Sequence, residues 1–166
     1  TTDNIQPFIF RFHDGDVALC HNGNLTNCPS LRRKLEDEGA IFHSNSDTEV
    51  LMHLIRRSMQ RTFMDKLKEA LNTVHGGFAY LLMTEDAMIG ALDPNGFRPL
   101  SLGKMKNGAY VLASETCALD VVGAELVRNI RPGEIVVIDD HGYKIVQYTN
   151  QTQLAICSME FIYFAR

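Results

Sequence analysis

No apolar run in this sequence approaches the roughly 20 residues needed to cross a bilayer, so no membrane-spanning helix is expected. No charged start leads into an apolar stretch, and no secretory signal is read in it. The 16 basic residues form no dense run, and 20 acidic residues leave a net charge of −4. That balance argues against a nucleic-acid patch or a polybasic anchor. The four cysteines, at positions 20, 28, 117 and 157, include no Cys-x-x-Cys pair and follow no regular spacing. Reduced thiols in a cytoplasmic protein fit them better than a disulfide framework. Repeats, low-complexity tracts and linkers are lacking too. What is there, 166 residues with 45% hydrophobic content, suffices for one domain with its own core and not for two.

Both ends read as cut. Thr1 is no initiator, and the run Phe161-Ile162-Tyr163-Phe164-Ala165-Arg166 stops amid aromatic and β-branched residues. Such an apolar edge, left exposed, invites aggregation. Strands are expected over Phe8–Phe12 and Val17–Cys20, joined by a turn at His13-Asp14-Gly15-Asp16. Helical spacing covers Pro29–Glu38, with Gly39 as its stop. A second helix starts at Ser46, where Ser46 and Glu49 fit a capping box ahead of Val50, Leu51, Leu54 and Ile55. A third covers Phe63–Val74. After Gly76-Gly77 the period shortens to that of strands, over Phe78–Met83, Met88–Leu92, Leu100–Leu102 and Tyr110–Ala113. A short helix at Ser114–Asp120 precedes strands at Glu125–Arg128, Ile135–Ile138 and Lys144–Tyr148, the last two around Asp139-Asp140-His141-Gly142. Helices followed by sequential strands predict an α+β fold, helices packed on antiparallel sheets.

Two polar motifs carry chemistry. In His21-Asn22-Gly23-Asn24-Leu25 an Asn amide stands beside a Gly backbone N–H, two donors suited to the oxyanion that develops when an amide is attacked. The same residues also make an ordinary hairpin turn, because Asn-Gly is a strong turn signal, and taken alone that reading prevails. In Ser46-Asp47-Thr48-Glu49 a carboxylate opens a helix. It either receives a substrate ammonium group or simply complements the helix dipole, worth about 0.3–1 kcal/mol. Alone, the dipole accounts for it. The pair, with Asp47 standing 25 positions after Asn22, is harder to ascribe to chance. It leads to the expectation that the Asn22 amide and the Asp47 carboxylate converge on one cavity sized for a single amino acid.

In this pairing the sequence resembles the glutamine amidotransferases of the N-terminal-nucleophile class. The resemblance implies that Asn22 and Gly23 form the oxyanion hole, that Asp47 holds the α-amino group of glutamine, and that Gly76 and Gly77 lie beside the pocket. Asn4-Ile5-Gln6-Pro7-Phe8, Asp93-Pro94-Asn95-Gly96-Phe97-Arg98-Pro99-Leu100, Ser114-Glu115-Thr116-Cys117-Ala118-Leu119-Asp120 and Cys157-Ser158-Met159-Glu160-Phe161-Ile162-Tyr163-Phe164 look like the amidophosphoribosyltransferase family within that class. Sugar-phosphate aminotransferring relatives share the first two motifs, and that reading remains the alternative, together with a non-catalytic fragment of a cut enzyme.

The resemblance implies a four-layer αββα sandwich lacking its first strands. The whole enzyme would release ammonia from glutamine and pass it to phosphoribosyl pyrophosphate, giving phosphoribosylamine, the first step of purine synthesis. The nucleophile would be an N-terminal Cys upstream of this chain, the carboxylate-binding arginine would lie upstream as well, and a phosphoribosyltransferase domain would follow. Glutamine and these absent segments are the implied partners, in a cytoplasmic homo-oligomer without nucleic acid or membrane. The isolated chain is expected to be inactive; an N-terminal Thr can be a nucleophile, but Thr1 falls far from the family's position. Cys20 reads as a strand residue and Cys117 as a small filler at a helix start. No cofactor is expected in this chain. The parent would use magnesium and, in some relatives, a 4Fe-4S cluster with a ligand at Cys157. A cluster needs four thiolates as a rule, so a buried thiol is the competing reading of Cys157.

Overall fold

The structure is a computed structural model and describes residues 4–13 and 15–155. Thr1, Asp14, Cys157 and the aromatic run after it, with the readings placed on them, lie outside the described residues. The chain runs β1 (Phe8–Phe12), β2 (Gly15–Leu25), α1 (Cys28–Asp37), α2 (Thr48–Arg57), α3 (Phe63–Thr73), β3 (Gly76–Met83), β4 (Met88–Leu92), β5 (Ser101–Met105), β6 (Tyr110–Ala113), α4 (Thr116–Val121), β7 (Ala124–Asn129), β8 (Glu134–Asp139) and β9 (Gly142–Gln147). Six strands pair in the order β1-β2-β3-β4-β8-β9 and three in the order β6-β5-β7, every pairing antiparallel.

Side-chain alternation builds the layers. Along β3, Phe78, Tyr80 and Leu82 enter a core with Leu51, Met52 and Ile55 of α2 and Leu67 and Leu71 of α3. The intervening Ala79 and Leu81 turn to the other core, with Leu100, Leu102 and Val136. Strand β8 repeats the pattern, Ile135 and Val137 on the helix side and Val136 on the other. In β5, Leu102 faces the six-stranded sheet, whereas a side chain at Gly103 would strike Leu119 of α4 at 2.8 Å. Helices α1–α3, large sheet, small sheet and α4 therefore stack as four layers, the αββα arrangement expected. Both faces of the central strands are buried, so they read as continuous apolar runs.

Two local expectations are corrected. His21-Asn22-Gly23-Asn24 is not a hairpin turn: β2 continues through it to Leu25, with Asn22 opposite Ala79 and Gly23 opposite Phe78. Pairing with β3 overrides the turn propensity of Asn and Gly. The capping box is also absent. Helix α2 begins at Thr48, and Ser46 Oγ accepts from the Thr48 N–H at 3.2 Å rather than from Glu49. Glu49, 2% exposed, accepts instead from the N–H groups of His43 and Ser44 and the Ser44 hydroxyl. Burial works against its charge, but these bonds outweigh it and hold the carboxyl below its ordinary range. The loop before α2 is thus tied down from inside. Among the described residues no helix is long and apolar enough to cross a membrane.

Candidate functional site

Glycine makes the far end of β2 unlike the rest of the sheet. A Cβ on Gly23, whose φ is +146°, would sit 2.1 Å from the Gly77 carbonyl oxygen, and one on Gly76 (φ +143°) 2.2 Å from the Asn24 carbonyl oxygen. Backbone approach this close admits no side chain. Gly77 opposes Asn24 and Gly76 opposes Leu25, so both members of the Gly76-Gly77 pair lie against the Asn22–Leu25 segment.

This end of β2 also has a bare edge. Strand β1 pairs with β2 only as far as Leu19. Beyond it, the Gln6 carboxamide takes over the role of a strand, accepting from the His21 N–H and donating to the His21 carbonyl. Two residues past Gly23, the Leu25 N–H donates to Asp47 Oδ2 at 2.8 Å. Strand alternation turns the N–H groups of residues 21, 23 and 25 to one side. The Gly23 N–H therefore falls between Gln6 and Asp47.

Asp47 stands at the start of α2 without capping it. Its other oxygen lies 3.2 Å from His21 Nδ1, which also approaches Thr48 Oγ1 at 3.3 Å. The His21 side chain is 2% exposed and stacks on Tyr80 with ring centroids 4.4 Å apart, while that of Asp47 retains 19% exposure. Burial opposes ionisation of Asp47, but bonds from His21 and the Leu25 N–H outweigh it and lower the carboxyl below its usual value. It is a fixed negative charge, and with one bond at each oxygen it keeps acceptor capacity to spare.

The expected convergence of the Asn22 amide and the Asp47 carboxylate on one enclosed cavity is not seen. His21 and Asn22 are neighbours in a strand and leave it on opposite faces. Asp47 joins His21 on the helix side; Asn22 Nδ2 donates to Ser114 Oγ at 3.2 Å, between β6 and α4. The two groups share the end of β2 through its backbone and not a closed chamber. A cavity of about 340 Å³ opens instead at the other end of the strand, lined by Phe12, Asp16, Ile55 and Arg56 among others.

The loop after β4 supports this end. Asp93, fully buried, accepts from the backbone N–H groups of Phe78, Asn95, Phe97 and Arg98 at 2.8–3.4 Å. It thereby locks Asp93-Pro94-Asn95-Gly96-Phe97-Arg98 over the start of β3, where a Cβ on Gly77 would meet Phe97 Cβ at 2.8 Å. Gln6, Asp93, His21 and Ser114 escaped the sequence reading as contributors. Only the Asn or Asp beside Gly or Pro hinted at a loop built on side-chain acceptors.

None of the described thiols is primed as a nucleophile. Burial raises the Cys20 thiol, burial and then the Asp47 charge raise Cys28, and the Glu115 carboxylate raises Cys117. Cys117 is not a buried filler; its Sγ meets Glu115 Oε2 at 3.1 Å. Among the described residues no three His, Cys, Asp or Glu side chains gather as a metal site, and Cys20, Cys28 and Cys117 form no set that fits an iron–sulfur cluster.

Comparison with known proteins bears on this arrangement. A model of the glutamine amidotransferase domain matches residues 1–121. Curated amidophosphoribosyltransferases are similar to the chain: that of Staphylococcus epidermidis is 59% identical over 164 residues, and that of Bacillus subtilis strain 168 is 52% identical over 165. Each alignment covers 99% of this chain but only 33% and 34% of the relative, so the chain spans about a third of their length. Among solved structures, glutamine phosphoribosylpyrophosphate amidotransferase from B. subtilis, complexed with ADP and GMP, superposes with a TM-score of 0.95 at 52% identity, over 99% of this chain and 36% of that one. A glutamine aminotransferase class-II domain protein from Silicibacter pomeroyi shares the fold alone, at TM-score 0.60 and 14% identity over 80% of this chain and 66% of that one.

Proposed function

This chain belongs to the glutamine amidotransferase domain family, and on that premise we propose that it is part of the glutaminase half of an amidophosphoribosyltransferase. The observation that carries the site assignment is the backbone edge from His21 to Leu25, with the Gly23 N–H between Gln6 and Asp47. A glutamine lying along this edge presents its carboxamide to Asn22 Nδ2 and the Gly23 N–H, which receive the oxyanion of the tetrahedral intermediate. Two residues further, about 7 Å along an extended strand, the fixed charge of Asp47 receives its α-ammonium group. Gly76 and Gly77 let the strands close up so that this edge is formed by backbone. The residues supply orientation and charge stabilisation; the attacking thiol belongs to a segment outside this chain, an N-terminal Cys by family resemblance.

The rest of the proposal concerns the longer protein. Its released ammonia passes to phosphoribosyl pyrophosphate on a following phosphoribosyltransferase domain, where magnesium would accompany the pyrophosphate. It works as a cytoplasmic homo-oligomer. The isolated 166-residue chain releases no ammonia from glutamine. No step is assigned to an iron–sulfur cluster, since the described thiols do not fit one.

The test replaces Asn22 by Ala in the full-length protein and compares two syntheses of phosphoribosylamine, one fed by glutamine and one by free ammonia. Glutamine-fed synthesis falls about 10²–10³-fold, the usual cost of one oxyanion donor, and ammonia-fed synthesis is unchanged. Unchanged glutamine-fed synthesis removes Asn22 from the oxyanion site.

A further inference from the structure

We propose that Ser114 is the positioning residue that aims the oxyanion donor Asn22. The inference rests on the oxyanion reading of Asn22 and goes beyond it. An Asn side chain on a strand is poorly directed by its own covalent structure, because rotation about its terminal torsion is broad. Preorganised catalysis needs the opposite: a donor already pointing where charge will develop, with no reorganisation during the reaction.

The structure supplies what the side chain lacks. Asn22 projects from β2 toward the small-sheet side, across from Ala79, whose side chain belongs to the core between the two sheets. There its Nδ2 donates one hydrogen to Ser114 Oγ at 3.2 Å. Ser114 directly follows β6 and directly precedes the Glu115–Val122 turn of α4. Its backbone is therefore fixed on both sides by the small sheet and its covering helix. A carboxamide is planar and carries two N–H groups. Once the first is held by Ser114, the plane is set, and the second N–H is presented in a fixed direction in that plane. The contact spans 92 positions of sequence and ties the large sheet's catalytic strand to the small sheet. The Ser114-Glu115-Thr116 motif thereby gains a role that apolar packing does not explain. The same geometry makes the Ser114 hydroxyl oxygen the acceptor in this contact.

The experiment uses the full-length protein and measures glutamine hydrolysis by Ser114→Ala, Ser114→Thr, Asn22→Ala and the double variant Asn22→Ala/Ser114→Ala. Ser114→Ala lowers kcat about tenfold, the worth of one hydrogen bond, and leaves KM for glutamine unchanged. Ser114→Thr, which keeps the hydroxyl, restores most of the rate. The double variant is no slower than Asn22→Ala, since Ser114 acts only through that amide. Ser114→Ala at full kcat overturns the proposal, as do losses that multiply in the double variant. A melting temperature unchanged in both single variants separates positioning from unfolding. Should Asn22→Ala keep full activity, the oxyanion reading itself fails; should it lose activity while Ser114→Ala does not, only the role of Ser114 falls.

Discussion

The two faces of β2 differ in how their polar groups are satisfied. On the helix face His21, Asp47, Thr48 and Tyr80 form a packed set in which the His21 side chain is 2% exposed and Thr48 is buried. On the small-sheet face Asn22 is exposed and held by a single bond to Ser114. The helix face bonds His21 Nδ1, Asp47 and Thr48 within the protein while His21 Nε2 and the Tyr80 hydroxyl stay buried without a partner; the other face retains a donor at the surface. The difference teaches that a polar motif on a strand divides its work by parity: odd positions here build the frame, and position 22 carries the proposed oxyanion donor. The backbone edge between them, with Gly23 at its centre, belongs to both.

Gly23→Ala breaks both faces at once and carries the largest expected effect. Its new methyl group would stand 2.1 Å from the Gly77 carbonyl oxygen, on a backbone at φ +146° that L side chains rarely adopt. The strands must separate, at a cost of at least about 3 kcal/mol. Chemical denaturation of the full-length protein then shows the loss of stability, and glutamine hydrolysis disappears with it. An alanine tolerated at full activity would mean that close approach of β2 and β3 is not what forms the site.

That glycine shows where the sequence could be read and where it could not. Amphipathic spacing marked α1, α2 and α3 to within two residues at their starts, because each buries one stripe against a neighbour, and short apolar runs bounded by turn residues marked β4 and β6 without error. The end of β2 was hidden because Asn and Gly disfavour strands by themselves. What keeps them extended is the pairing with Gly76 and Gly77, more than fifty residues away. The same holds for the site. Asn22, Gly23, Asp47 and the Gly76-Gly77 pair could be picked out as residue types in a pattern. Their partners Gln6, His21 and Ser114 could not, since a hydrogen bond across 92 positions leaves no periodic trace. Glu49 was misread for a related reason: a capping box and a buried loop anchor have the same local sequence, and only the tertiary position of Ser44 separates them.

Asp47→Asn tests the group that stands between the two regimes. Losing the charge raises KM for glutamine about tenfold or more, if the substrate amine is held there. It also weakens the bonds to His21 and the Leu25 N–H, at about 1–3 kcal/mol. The pH dependence has a definite sign. The folded-state pKa of Asp47 lies below its ordinary value of 3.8. Its stabilising contribution is therefore complete above that value and is lost as pH falls through the folded pKa. In denaturation curves taken from neutral pH into acid, the gap between the two proteins should narrow progressively once pH falls below 3.8. A stability loss with KM unchanged would place Asp47 wholly with the frame.

Thr48→Val carries the smallest effect and draws the boundary most finely. The threonine hydroxyl accepts from Ser46 Oγ at 2.9 Å and approaches His21 Nδ1 at 3.3 Å, all inside the helix-face network. Valine keeps the shape and removes the oxygen, so about 1 kcal/mol of stability is lost. Thr48→Ser, which keeps the oxygen, recovers the Ser46 contact. Neither change touches the edge where substrate is proposed to lie, so kcat and KM for glutamine stay at their parent values. A shift in KM with Thr48→Val would show that the His21 ring transmits its own placement to the Asp47 carboxylate and on to the substrate amine. The helix face would then be part of the binding site, and the division between odd and even positions of β2 would mark degrees of contact with substrate rather than separate tasks.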